Sequence, residues 1–116
     1  MKLHWNNCQG DVWCKLSTVN LSHSHFDTME GVYVIWHGGA NAKTVKVGQG
    51  IIRDRLTAHR IDANIQAYAS LTLYVTWAQV GNQNRDGVEV FLGNRLAPLV
   101  AVRFPDVAPI EVNFPW

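Results

Sequence analysis

Tyr33, Arg55 and His59 are the residues of this chain whose types and spacing suit them to chemistry. Arg55 and His59 are four apart in I-R-D-R-L-T-A-H, and on a helix that spacing puts both on one face. A guanidinium meets phosphate or carboxylate oxygens with a fork of donors, and an imidazole moves protons near neutral pH. Tyr33 adds a phenol on the strand before, and Gly48-Gln49-Gly50 adds glycine-rich turn chemistry between them. Apolar packing alone does not require this set, which suits the handling of phosphate. The charge distribution agrees. Lys43 to Arg60 holds five basic residues (Lys43, Lys46, Arg53, Arg55, Arg60) and one acid, net +4, whereas the rest of the chain is net −3. Lys43, Arg53 and Arg60 are therefore candidate contacts for an anionic partner such as nucleic acid, with a solvated helix face as the alternative.

The elements that must position these groups follow from the pattern. Val32 to Trp36 is rich in β-branched and aromatic residues and reads as a strand. Gly38 to Ala42 is turn chemistry, and Thr44 to Val47 is the returning strand, with Val45 and Val47 on one side. Gly48-Gln49-Gly50 breaks that strand. Ile51 to about Arg60 is helical, with Ile52 and Leu56 as an apolar i, i+4 pair. Leu71 to Ala78 alternates as a third strand, and Asn82 to Asp86 reads as a loop. Val88 to about Ala97 is a second helix that Pro98 ends. Asp86 and Glu89 fit a capping box at its start. The expected fold is α+β: a small antiparallel three-stranded sheet with flanking helices in the order β-β-α-β-α. An N-terminal arm (1–30) precedes this core (31–97), and an extended, packed tail (98–116) follows it.

The 116 residues suit a single domain, and contents of 47% hydrophobic and 16% charged residues exclude a disordered chain. No apolar run approaches the roughly 20 residues that span a bilayer, and Met1 to Asp11 lacks the apolar stretch of a signal peptide. The expectation is a soluble cytoplasmic protein with Cys8 and Cys14 kept as thiols. His4, Cys8, Cys14, His23 and His25 are zinc-type ligands, at spacings that match no familiar site. Trp5, Trp13 and Trp116 lie near the two ends and imply that both termini are docked.

Four short motifs in order resemble the GIY-YIG nuclease superfamily: G-V-Y (Gly31 to Tyr33), K-V-G (Lys46 to Gly48), R-L-x-x-H (Arg55 to His59) and a helix glutamate, Glu89. The resemblance covers residues 31 to about 97 and agrees with that family's β-β-α-β-α core. It implies a divalent-metal phosphodiester hydrolase acting on nucleic acid, with DNA favoured. Tyr33 would help activate water, and Arg55 would stabilise charge on the phosphate. His59 would hydrogen-bond the tyrosine or the substrate, and Glu89 would hold one Mg²⁺ or Mn²⁺. Such roles suit a reaction that needs an activated nucleophile and positive groups where negative charge develops. The chain departs from the family in one motif: Lys46 stands where a tyrosine is usual. An asparagine that often follows the glutamate helix is also missing, with Asn113 a distant substitute. Three readings follow: an endonuclease domain, a catalytically lapsed nucleic-acid- or protein-binding module of the same fold, and a structural domain that forms a homodimer through its aromatic-rich ends.

Overall fold

The computed structural model describes residues 1–100 and 103–116; Ala101 and Val102 of the expected tail lie outside the described residues. Four antiparallel strands form one sheet in the order β1-β4-β2-β3: β1 (Cys14–Lys15), β2 (Glu30–His37), β3 (Lys43–Ile51) and β4 (Leu73–Gln79). Three helices accompany it, α1 (Ile52–His59), α2 (Ala63–Gln66) and α3 (Asn82–Leu96). The α+β class and the order β-β-α-β-α are as expected. The sheet has four strands and not three, because the two-residue β1 of the arm adds to β4, with Cys14 opposite Val75.

Alternation along β2 builds both layers of the core. Tyr33 and Ile35 point to the face covered by α1 and α2, where they join Leu56, Ile65, Val75 and Trp77. Val32 and Val34 point to the other face, where they pack with Val47, Val88 and Leu92 under α3. Full burial of each such aliphatic side chain contributes about 1.5–3 kcal/mol. The chain ends close this second layer together. Asn113 accepts a hydrogen bond from the Leu3 amide and donates one to the Leu3 carbonyl, and the Trp5 indole donates to the Asn113 carbonyl. Asn113 is thereby committed to joining the termini.

Several local expectations are corrected. Strand β3 does not stop at Gly48 but runs on to Ile51, with Tyr33 opposite Gly48 and Gly31 opposite Gly50. Val45 and Val47 face opposite sides of the sheet. The register slips between Ile35 and Trp36, which pair with Lys46 and Thr44 and leave Val45 as an extra residue, a β-bulge. Helix α3 begins at Asn82, six residues before Val88, and its N-cap is Gly81. Asp86 and Glu89 therefore sit inside the helix, one turn apart, and form no capping box. The first turn, Asn82 to Arg85, is wholly polar, so it carries no apolar stripe to mark it as helical. Strand β4 starts at Leu73, since Ala69–Leu71 is a 3₁₀ turn. Cys8 and Cys14 are joined in a disulfide with Cα atoms 5.1 Å apart, so neither is a free thiol.

Candidate functional site

The cleft that gathers the sequence-selected residues lies along β3, the edge strand, where α1 packs on one side and α3 on the other. Tyr33, Lys46, Gly48, Arg55 and Glu89 line it, together with Gln49 and Arg103, around a volume of roughly 220 Å³. Each arrives by a separate local cause. Tyr33 follows the alternation of β2 and is buried. Lys46 pairs with Ile35 across the sheet and so shares the face of Tyr33; the bulge at Val45 sets that facing. Arg55 comes from the first turn of α1, which starts directly after β3. Glu89 reaches the cleft from the middle of α3 and is 8% exposed.

The two glycines of the expected turn have other roles. A Cβ built on Gly48 would lie 2.9 Å from Tyr33 Cε1, and closer still to Cζ and Oη. Gly48 is the hollow in β3 into which the phenol fits. Gly50 has φ of +130°, a left-handed conformation that other residues adopt only under strain, and a Cβ there would lie 3.1 Å from Arg55 Nε. Its bare backbone leaves room for the guanidinium beside the strand.

Tyr33 Oη lies 2.5 Å from His59 Nε2, in a contact buried from solvent. Burial, reinforced by the positive charge of Lys46, lowers the His59 pKa to about 4, so the imidazole is neutral at pH 7. Burial also raises the Tyr33 phenol well above its usual value, opposed by Arg55. The phenol keeps its proton and donates it to the neutral Nε2, an assignment that follows from these two protonation states. His59 Nδ1 is buried without a hydrogen-bond partner.

The charged groups are similarly poised. Desolvation lowers the pKa of half-buried Lys46, although Glu89 opposes the shift. Desolvation raises the pKa of Glu89; the Gln49 side chain, which donates to Asp86 at 2.5 Å, pulls it back, with weaker help from Lys46 and Arg55. Among the described residues neither Glu89 nor any of Lys46, Arg55 and Arg103 is in an ion pair. Three cations and one carboxylate thus share a small cleft without neutralising one another directly. Such an arrangement can bind an anionic ester, hold a hard cation on the carboxylate, and move a proton along the phenol–imidazole contact.

The other candidates lie elsewhere. Arg53 donates to the carbonyls of Leu21 and His23 and pairs with Asp27 at 2.8 Å. Arg60 donates to the carbonyls of Leu16 and Val19. Both guanidiniums pin the N-terminal arm to α1. Lys43 is exposed at the start of β3. His25 accepts from the Trp77 indole, and among the described residues no group of three His, Cys, Asp or Glu could hold a metal. With Cys8 and Cys14 bonded to each other, the zinc ligand set is not assembled.

Sequence reasoning missed Arg103 and Gln49. Arg103 is brought in by its neighbour Phe104, whose ring sits against Gly93 of α3 so closely that a Cβ there would fall 2.6 Å from Cε1. A glycine on the apolar face of a helix, with an aromatic in a tail too apolar to be free, was the available signal. Comparison with protein families, with curated proteins and with solved structures finds no match to this chain.

Proposed function

We propose that this domain is a GIY-YIG-like, metal-dependent endonuclease that hydrolyses phosphodiester bonds in nucleic acid, with DNA the favoured substrate. The observation that supports it is the convergence of Tyr33, Arg55 and Glu89 in one cleft, with His59 bonded to Tyr33 from behind. These four positions are separated by up to 56 residues in sequence and come from three elements.

The arrangement suggests a division of labour. Arg55, Lys46 and Arg103 meet the phosphate oxygens, where negative charge grows as water adds to phosphorus. Tyr33 Oη takes a proton from the attacking water as its own proton passes to His59 Nε2, which is free to accept because the ring is neutral. The departing sugar oxygen leaves as a hydroxyl once it gains a proton from solvent. For Mg²⁺ or Mn²⁺ the support is Glu89, an inward carboxylate of the cleft that pairs with no cation among the described residues. A hard cation bound by one such carboxylate, with water and substrate oxygens, would polarise the phosphoryl group and stabilise the leaving oxygen.

Lys46 in place of the usual tyrosine favours a second reading, a binding module of the same fold with a lapsed site. End-labelled single- and double-stranded oligonucleotides, incubated with Mg²⁺ or Mn²⁺, separate the two. The enzyme reading expects new ends that vanish in Tyr33→Phe, Arg55→Ala and Glu89→Ala. Salt-sensitive binding without cleavage supports the module instead. We place the protein in the cytoplasm as part of this reading. Among the described residues no helix is long and apolar enough to cross a membrane. Reduction of the Cys8–Cys14 bond in that compartment would leave the cleft alone, since β1 and β3 are opposite edges of the sheet.

A further inference from the structure

A second cavity, roughly 650 Å³, is distinct from the cleft described above. It lies at the other end of β3, around Lys43 and Thr44, and Trp13, Trp36 and Trp116 form its aromatic wall. Its size is that of a small-molecule or nucleotide pocket. The Trp13 and Trp116 rings stand at 87° to each other with centroids 6.5 Å apart. Trp36 is packed flat on Tyr74, whereas Trp116 is 60% exposed. Trp116 meets Trp13 and Trp36 edge-on and leaves the rest of its ring open at the mouth of the cavity.

The charges at the rim decide which partner fits. Lys43 and Arg95 both line the cavity, and among the described residues no Asp or Glu does. Neither cation is in an ion pair among the described residues. Arg95 is held in place by the faces of Phe91 and Phe114, 5.4 and 5.7 Å from its guanidinium carbon. Two cations repel a cationic guest such as a methylated amine, which an aromatic cage would otherwise suit. They attract a guest that joins a flat ring to an anion. A nucleotide has that chemistry, with the base stacked on indole and the phosphate at Arg95 and Lys43.

We infer that this tryptophan-lined cavity is a base-stacking subsite for single-stranded nucleic acid. The inference extends the proposed function, since the cavity and the cleft lie at the two ends of one strand. From Lys43 to Lys46 is roughly 10 Å along β3, within reach of a short single strand. A strand anchored by one base on Trp116 would then pass its backbone towards Lys46 and Arg55.

Intrinsic tryptophan fluorescence reads the test, with hexathymidylate and an abasic hexamer of the same charge as probes and no divalent metal present. Hexathymidylate is expected to quench the fluorescence and to bind about tenfold more tightly than the abasic hexamer. Trp116→Ala should bring it down to the abasic level. Lys43→Ala should lower the slope of log affinity against log salt by about one, for both probes. Equal affinity for the two hexamers, or unchanged hexathymidylate binding in Trp116→Ala, overturns the subsite. Stacking that persists in a protein unable to cleave sinks the nuclease reading alone, and cleavage without stacking sinks the subsite alone.

Discussion

Replacing Gly48 with alanine perturbs the site through a single methyl group. The added Cβ would lie 2.9 Å from Tyr33 Cε1 and nearer still to Cζ and Oη. Carbon atoms rest at about 3.5–4.0 Å, so the ring must move by on the order of 1 Å. Tyr33 is 2% exposed, and its ring is held by β3 on one side and by its contact with His59 on the other. Overpacking of this kind costs about 1–3 kcal/mol. The 2.5 Å contact with His59 does not survive a shift of that size, and its loss adds about 1 kcal/mol. Gly48→Ala should therefore destabilise the protein by about 2–4 kcal/mol, with an unchanged m-value, in urea unfolding followed by tryptophan fluorescence. The clash needs the phenol, so in a Tyr33→Leu background the same substitution should cost less than about 1 kcal/mol. Cost that is additive in the double mutant, or below about 0.5 kcal/mol in the single one, refutes the reasoning that Gly48 exists to receive the phenol.

Acid should destabilise the protein through His59, whose folded pKa lies below its unfolded value. Its contribution is complete above pH 6.5 and disappears as pH falls through about 4, because the unfolded state binds the proton first. At about 1.36 kcal/mol per pH unit the loss is on the order of 3 kcal/mol, seen as a falling urea midpoint that His59→Phe flattens over the same window. Glu89→Gln should stabilise the metal-free protein by about 1 kcal/mol in thermal unfolding, since a buried charge without an ion-pair partner is removed. A lower midpoint would show that the carboxylate supports the fold. Arg60→Ala should cost about 2–3 kcal/mol by stripping the donor from the Leu16 and Val19 carbonyls, and Arg60→Lys should not restore it. Oligonucleotide affinity should be unchanged in either Arg60 variant.

Most of the site was legible because its residues sit on strongly periodic elements. Tyr33 lies on the most β-branched segment of the chain, and the i, i+4 pair Ile52 and Leu56 fixes the phase of α1 and hence of Arg55 and His59. What escaped depends on tertiary partners. The run Gly48-Gln49-Gly50 has the composition of a turn. It is a strand because the Tyr33 phenol and the Arg55 side chain fill the space that its missing Cβ atoms leave. The bulge at Val45 comes from register with β2, which no local pattern encodes. Arg53 and Arg60 look like part of a basic patch in sequence, yet the arm's carbonyls take up their donors. Arg103 lies in an extended tail without periodicity and reaches the cleft only because Phe104 docks on Gly93.

As proposed, the cleft at β3 hydrolyses phosphodiesters with Glu89 as its metal ligand. Supercoiled plasmid, incubated with Mn²⁺ and with wild-type or Glu89→Gln protein purified in parallel, tests it in one gel. Wild-type protein should convert the plasmid to nicked or linear DNA, and the variant should leave it supercoiled. Intact plasmid in both lanes, or equal cleavage in both, would contradict it.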